Sequence, residues 1–513
     1  MASSASASRQ KENFGSPARR LFAWPFYLLL LPLFAVLHVA NTFRHLTDAG
    51  LVWKEWLALF LAPLLLYGVS ALLTRPRNAA AAALLPVLVF FFGGAVKKWL
   101  DGQPVGWLHS YLFWTLLLLA ALPLYFRWTR RKPRQAAGLV AFVNAVSVVY
   151  LLIELAGWIT FSPATNYLGD PARSREQAFQ PCTDCPTPDI YHFIFDEYAA
   201  ERPLKALGYD NAALYDFLRE KGFYIAGQSR ANYRSTMLSM SSLFNMQYHR
   251  GLDTSKPLAF TDYLRGQYTL RHSELFPILR KQGYTIRNFS WLPIAGTPNE
   301  LPRYDYWGQR SLYRPFNLVS YTLHEIGWRL PPALRVSWEP GDAEYINWRD
   351  AYHRSIIRAV DTINAARTAA PLYFYGHFQL PHPPYVYDSL GRRRPDTVRT
   401  KAGEVRGYIE QVGYTNRVIR HLVTTLQARQ PKGRPLVIIL QSDHGFRVFD
   451  RKGDAPGFEN LAAFYFSNGD FHLLRPDLSN VNTYPVLLNT FFRTHYPLLP
   501  DHTYYPEGED GAL

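Results

Sequence analysis

Five apolar blocks in the first 160 residues limit what this chain can fold into. They run about Leu21–Phe43, Trp53–Thr74, Ala79–Ala95, Leu108–Phe126 and Ala137–Thr160. Each is roughly 17 to 24 residues long, and about 20 predominantly apolar residues cross a bilayer as a helix. The four later blocks argue against reading the first as a cleaved signal peptide. Beyond residue 160 no apolar run approaches this length, so the remainder of the 513 residues is expected to fold in water.

Charge supplies the orientation. Arg19 and Arg20 precede the first block, Arg75 and Arg77 follow the second, and Arg127, Arg130, Arg131, Lys132 and Arg134 follow the fourth. The other two loops hold Arg44, Lys54, Lys97 and Lys98. Lys and Arg collect on the cytoplasmic side, which places the N-terminus in the cytoplasm and everything after Thr160 outside the inner membrane. The net charge of +15 then has an ordinary origin. Up to residue 160 there are 15 Lys+Arg against 5 Asp+Glu, so +10 of it is orientation signal and contact with anionic lipid. The +5 left for some 350 residues excludes an extended nucleic-acid surface.

The expected organisation is a cytoplasmic N-terminus (1–20), a transmembrane region (21–160), a linker (161–188), a catalytic domain (189–500) and a tail (501–513). The linker is rich in Pro, Ser, Thr and Asp and has no periodicity. Its "QPCTDCPTP" holds the chain's two cysteines, Cys182 and Cys185. Half a zinc site or a redox pair is conceivable from the spacing. No second half and no thioredoxin-like pattern accompanies it, which favours a small local disulfide.

From Asp189 onward strands and helices alternate. "DIYHFIF", "YTIRNFS", "LYFYGHF", "PLVIIL" and "LAAFYFS" read as strands, and "NAALYDFLREKG", "ELFPILRKQG", "SIIRAVDTINAARTAA", "YIEQVGYTNRVIRHLVTTLQARQ" and "TYPVLLNTFFRTHY" as helices. This is the pattern of an α/β domain with a mostly parallel central sheet. Ligands of such sheets bind outside the carboxyl ends of the strands. Those ends carry chemistry. "DIYHFIF" runs into Asp196 and Glu197, "LYFYGHF" holds His377 and leads to His382, and "LVIIL" leads into Asp443 and His444. Singly, each has a bland reading as a helix cap or a packed histidine. Together, Asp196, Asp443 and His444 offer the mixed oxygen and nitrogen ligands that suit Zn²⁺ or Mn²⁺.

"SRANYRSTMLSMSSLFNMQY", from Ser229, is a polar loop meeting an apolar-periodic stretch, the start of a helix with Ser235 and Thr236 in its first turn. Helix N-termini attract anions. A hydroxyl there is either a plain N-cap or a nucleophile activated by a metal.

Four stretches in order, "DIYHFIFDEY", "NYRSTMLSMSSLFNMQY", "HFQLPHPPYVYD" and "IILQSDHGF", resemble the sulfatase-like branch of the alkaline phosphatase superfamily. The likeness is greatest to membrane enzymes of the lipoteichoic acid synthase and phosphoethanolamine transferase type, which also carry five N-terminal spans and an extracytoplasmic catalytic domain. "LSNVNTYPVLLNTFF" looks like their closing helix. The resemblance covers about residues 188 to 500. It implies a first acidic metal ligand at Asp196, a nucleophile that also touches the metal at Thr236, paired ligands at Asp443 and His444, and a substrate-facing histidine at His382. His377 has no firm counterpart; it is a substrate or second-metal residue, or a packed one.

Two departures matter. Formylglycine sulfatases need Cys or Ser in a Cys/Ser-x-Pro-x-Arg motif, whereas this chain has Thr236-Met-Leu-Ser-Met. That argues against sulfate-ester hydrolysis by the formylglycine route. Only one set of ligands is identifiable, which implies one divalent ion. The expected function is a membrane-bound phosphotransferase that moves a phospho-alcohol head group from a phospholipid donor to a glycan or lipid acceptor through a phosphothreonine. The alternatives are a hydrolase of phosphate or sulfate esters and a catalytically inactive envelope-binding protein. A transporter is disfavoured because, Glu154 aside, the apolar blocks carry few ionisable groups at their centres.

Overall fold

The computed structural model describes residues 24–42, 49–74, 76–101, 106, 110–160, 175–249, 251–253, 255–258, 260–301, 318, 342–363, 370–394, 401–429, 433–447 and 455–505. The expected cytoplasmic N-terminus, the ends of the first apolar block, the first half of the expected linker and the last eight residues of the tail lie outside them. The chain divides into two compact units, Met1–Ser162 with Tyr304–Pro340, and Pro163–Arg303 with Gly341–Leu513.

The first unit contains α1 (Tyr27–Thr42), α2 (Ala49–Leu73), α3 (Pro76–Asp101), α4 (Tyr111–Arg131) and α5 (Pro133–Thr160). Among the described residues three segments are long and apolar enough to cross a membrane: Val52–Leu73, Asn78–Lys97 and Pro133–Gly157. The described part of α1 has 16 residues, and the apolar run of α4 is cut short by Arg127, Arg130 and Arg131. Leu61, Leu65 and Leu72 on α2 and Leu152, Ile153 and Ile159 on α5 are exposed, as lipid-facing side chains must be. Polar groups join the helices. The Tyr27 backbone N–H donates to Asn144 Oδ1 (2.7 Å) and the Tyr27 hydroxyl to the Ala80 carbonyl (2.7 Å), the kind of interhelical hydrogen bond that holds helices together in lipid.

The second unit is built on a six-stranded sheet: β1 (Asp189–Phe195), β2 (Tyr224–Ile225), β3 (Thr285–Phe289), β4 (Leu372–Phe378), β5 (Leu436–Gln441) and β6 (Ala462–Phe466), in the order β2-β6-β5-β1-β4-β3. Strands β5, β1, β4 and β3 are parallel, whereas β6 pairs antiparallel with β5 and β2 antiparallel with β6. The sheet is therefore mixed. A parallel return needs a crossover of a dozen or more residues, usually helical. Among the described residues between β5 and β6 there is only a three-residue turn of 3₁₀ helix, Ala455–Gly457.

Strand β1 is buried along its whole length because both faces of the sheet are covered. Tyr191, Phe193 and Phe195 point to the face where Tyr352, Ile356, Val412, Ile419 and Leu422 pack, from helices α9 (Asp342–Ile363) and α10 (Lys401–Ala428). Ile190 and Ile194 point to the other, with Phe244, Ile278 and Leu487, from α6 (Thr236–Asn245), α8 (Leu275–Lys281) and α11 (Thr483–Phe492). Helix α7 (Phe260–Arg271) follows α6. The second half of the expected linker is docked here. Phe179 is buried in the same core, Cys182 exchanges hydrogen bonds with the Gln282 side chain, and Cys182 and Cys185 form a disulfide.

Where β4 pairs with β1 at Phe193↔Gly376, the packing leaves no space for a side chain. A Cβ on Gly376 would stand 2.9 Å from Phe193 Cδ1 and 3.1 Å from Ile356 Cγ2. Gly376→Val should destabilise the protein by about 1–3 kcal/mol through overpacking, read as a lower midpoint of thermal unfolding of the full chain in detergent. An unchanged midpoint would mean that this face packs loosely.

Candidate metal centre

The three strands that end in acids or histidines are neighbours, in the order β5-β1-β4, and run parallel. Their carboxyl ends therefore open on one edge. At that edge the Asp196 N–H donates to the Phe378 carbonyl (3.0 Å). The chain then turns sharply at Glu197, a non-glycine residue at φ 67°; such conformations cost energy and cluster at functional sites. The turn aims the Glu197 N–H at Asp443 Oδ1 (3.1 Å). The His444 N–H donates to the same oxygen (3.0 Å), so Asp443 Oδ2 is left for another purpose.

Gly445 is required by close approach. A Cβ there would meet the carbonyl oxygens of Glu459, Pro456 and Gly457 at 2.6, 2.7 and 2.9 Å. These are backbone atoms that cannot step aside. The Asp-His-Gly run is thus a bend pressed against the 456–459 segment, and the bend presents its two side chains inward.

Asp196, Asp443 and His444 each place one ligand atom within 4.8 Å of the others. His444 Nε2 lies 3.6 Å from Asp196 Oδ1 and 3.5 Å from Asp443 Oδ2. All three residues are buried, and each of these three atoms is buried without a hydrogen-bond partner. His444 Nδ1 lies 2.8 Å from the Gly445 carbonyl, which only accepts. The ring proton therefore sits on Nδ1 and the Nε2 lone pair faces the two carboxyl groups, the arrangement in which histidine binds metals. The other candidate cluster, Cys182, Asp184 and Cys185, has both sulfurs tied in the disulfide.

The electrostatics favour a cation. Burial, then the charge of Asp196, pushes Asp443 up to about 6, against the pull of His377 and of the Thr236 hydroxyl. For Asp196 burial also acts upward, but His382, His377 and His444 outweigh it and hold the carboxyl below its usual range. Burial, reinforced by Arg447, lowers His444 to about 4 despite Asp196, so the imidazole is neutral at neutral pH. Two adjacent buried carboxyl groups cannot both stay charged unless something positive neutralises them. The unpartnered oxygens and the inward lone pair fit a divalent ion.

Thr236 is the first residue of α6, half-buried, and its hydroxyl acts on the Asp443 carboxyl. The plain-cap reading applies to neither hydroxyl in this turn: Ser235 occupies the N-cap position without a side-chain capping bond. The helix is pinned here by Ser239, whose hydroxyl donates to the Asp443 carbonyl (2.6 Å). His377 is fully buried; Nδ1 meets the Tyr375 hydroxyl (2.8 Å) and Nε2 stands 3.8 Å from Asp196 Oδ2. His382 is half-buried at the rim, and its imidazole acts on Asp196.

Sequence reasoning missed several residues. Glu197, read from the sequence only as a strand-end acid beside Asp196 and given no role, is buried with Oε2 unpartnered. Arg447 lies at the rim with its Nη2 3.2 Å from His382 Nε2, and no periodicity marks it. Asn480 donates to the carbonyls of Ser442 (3.0 Å) and Asp443 (3.2 Å) while accepting from Gln441 and Asn460. It holds the end of β5 from a segment 37 residues downstream of Asp443, which no local pattern reveals.

Residues 208–480 match the model of the sulfatase family. No curated protein matches the chain. Among solved structures it is similar to the soluble domain of lipooligosaccharide phosphoethanolamine transferase A from Neisseria meningitidis (14% identity, TM-score 0.39, covering 60% of this chain and 89% of that one). It is similar to the integral membrane form of the same protein (14% identity, TM-score 0.39, 93% and 96%), and to the periplasmic domain of a phosphoethanolamine transferase from Campylobacter jejuni (12% identity, TM-score 0.37, 62% and 94%).

Asn480→Ala should weaken binding of Zn²⁺ or Mn²⁺ by about 10–100-fold, as loss of a group that orients metal ligands does, measured by competition with a chelator. Wild-type affinity in that variant would mean that the end of β5 is rigid without it. A second expectation concerns pH. The folded Asp443 carboxyl is raised above its ordinary 3.8 to about 6, so the stability it contributes is complete below the lower value and lost as pH rises through the upper one. A bound cation takes the proton's place. The metal-induced rise in unfolding temperature should therefore grow from about pH 5 to about pH 7 and then level off. A rise independent of pH would exclude a cation displacing the proton of Asp443.

Proposed function

Since the chain belongs to the sulfatase family, within the alkaline phosphatase superfamily, and is a sulfatase-like enzyme, we propose that it is a membrane-bound, metal-dependent phosphotransferase. In this reading it moves a phospho-alcohol head group from a phospholipid to a glycan or lipid acceptor of the cell envelope. The observation that carries the reading is Thr236: a half-buried hydroxyl at a helix N-terminus, acting on the carboxyl of a buried ligand. The apolar helices of the first unit support a lipid donor. The disulfide supports a catalytic domain outside the cytoplasm, with the N-terminus inside and five crossings between.

Asp196, Asp443 and His444 would hold the ion, with Thr236 as the ligand from the open side. When bound, a divalent ion such as Zn²⁺ or Mn²⁺ supplies the Lewis acidity that lowers the pKa of the threonine hydroxyl and offsets charge on the phosphoryl oxygens. Thr236 Oγ1 attacks phosphorus in line. A Thr236 O–P bond forms, the bond from phosphorus to the lipid alcohol breaks, and the proton leaving Thr236 passes by way of His382 to the departing oxygen. The α6 N-terminus directs its backbone N–H groups at the anion. In the second half, His382 takes the proton of the acceptor hydroxyl as that oxygen attacks, the Thr236 O–P bond breaks, and the proton returns to Thr236. With water as acceptor the same steps make a hydrolase.

Thr236→Ala in the full chain should lower turnover of a fluorescent phosphatidylethanolamine by at least about 10³-fold, in line with the loss of a covalent nucleophile, and leave the unfolding temperature near wild type. Mass spectrometry of the wild type after incubation with the lipid should find a phospho-alcohol adduct on residue 236. Near-normal turnover by the variant would remove the covalent route, and head-group release at full rate without acceptor would make the enzyme a hydrolase.

A further inference from the structure

His382 is fixed from behind. The guanidinium of Arg349, fully buried, donates to the carbonyls of Gln379, His382 and Pro384. Gln411 Nε2 donates to the carbonyls of Pro381 and His382, both at 2.9 Å, and its Oε1 accepts from the Val386 N–H (3.1 Å). His382 Nδ1 lies 2.7 Å from the Pro383 carbonyl, which places the ring proton there. The remaining lone pair, on Nε2, accepts from Arg447 Nη2 at 3.2 Å. In this arrangement the imidazole has no proton to give and no free site to take one.

Arg447 is the partly exposed member of the pair. Its backbone N–H donates to Glu197 Oε1 (3.0 Å), its Nε stands 3.6 Å from the same oxygen, and the side chain is 28% exposed, so the exchange of partners concerns the Nη end of an arm anchored at Nε. Its charge acts on His444, so the guanidinium lies within electrostatic reach of the ligand set. A guanidinium donating to a neutral imidazole makes a weaker contact than one donating to an oxyanion, whose planar pairs of oxygens match the guanidinium fork. An anion entering between the buried ligands and the rim therefore competes for it.

We propose that Arg447 binds the non-bridging oxygens of the substrate's phosphodiester, and that it leaves His382 to do so. Withdrawal of the guanidinium uncovers His382 Nε2 only when a phosphoryl group is present. The contact thus couples binding of the anion to the appearance of the proton carrier. This rests on the phosphotransferase reading for the identity of the substrate, but the site itself is an oxyanion site of this chain's own residues.

Inorganic phosphate is the probe, titrated calorimetrically into the full-length protein in detergent. Arg447→Ala should weaken phosphate binding by about tenfold or more, and Arg447→Lys should recover part of the loss, since lysine keeps the charge without the fork. His382→Ala separates anion binding from mere support of the imidazole. If Arg447 binds the anion, Arg447→Ala weakens phosphate binding by the same factor in the His382→Ala background; if it only props the histidine, the second substitution adds nothing and the proposal fails. Absence of phosphate binding in the wild type, or wild-type affinity in Arg447→Ala, would equally overturn it. Thr236→Ala distinguishes this from the covalent reading. Retained turnover in that variant, with phosphate binding still lost in Arg447→Ala, sinks the phosphothreonine and leaves the Arg447 assignment standing.

Discussion

Two carboxyl groups buried side by side, each with an oxygen that no protein group satisfies, are the constraint on which the second unit depends. Burying one uncompensated carboxylate is costly, and burying two against each other more so. The protein meets part of the cost with its own groups: N–H donors from Glu197 and His444 to Asp443, and imidazoles around Asp196. The rest it leaves unmet, and the unmet atoms converge. A core shaped only for stability would replace such a pair with apolar side chains. Its persistence beside an inward-facing imidazole lone pair is the physical ground for reading a cation site.

The sheet makes this convergence cheap. Parallel neighbours bring their carboxyl ends to one edge without further instruction, so residues 196 and 443 meet because β1 and β5 pair in register from Asp189↔Leu436 onward. The finer placement comes from groups that are not ligands. Gly445 permits the bend, Ser239 docks the helix that carries Thr236, and Asn480 ties down two carbonyls at the end of β5. Each of these fixes backbone, and through backbone the direction of a functional side chain.

Much of this was legible in the residues. The α/β alternation, the strand-end positions of Asp196, His377 and Asp443, and the helix beginning at Thr236 all follow from short-range patterns of apolar and polar residues, which report local structure well. The antiparallel β6 was not legible, because "LAAFYFS" reads the same in either direction and only the connection to it decides. The two-residue β2 is too short to carry a periodic signal. Asn480, Arg349 and Arg447 escaped for a different reason. Their roles consist of hydrogen bonds to backbone or rim groups more than thirty residues away along the chain or across a turn, and nothing local distinguishes them from surface polar residues.

Charge is graded across the site. Deepest lie the acidic ligands Asp196 and Asp443 with the neutral His444, all buried. Around them stand Thr236, His382 and the cation Arg447, all half-buried. An anionic tetrahedral group cannot approach the buried carboxylates unaided, since like charges in a poorly solvated site repel strongly. It needs positive charge on both sides, one from an ion held below and one from the arginine above. The same arrangement accounts for a threonine on a helix, rather than a side chain at a strand end, as the proposed nucleophile: the strand ends carry the proposed ligands, and the helix start supplies a half-buried hydroxyl that acts on Asp443.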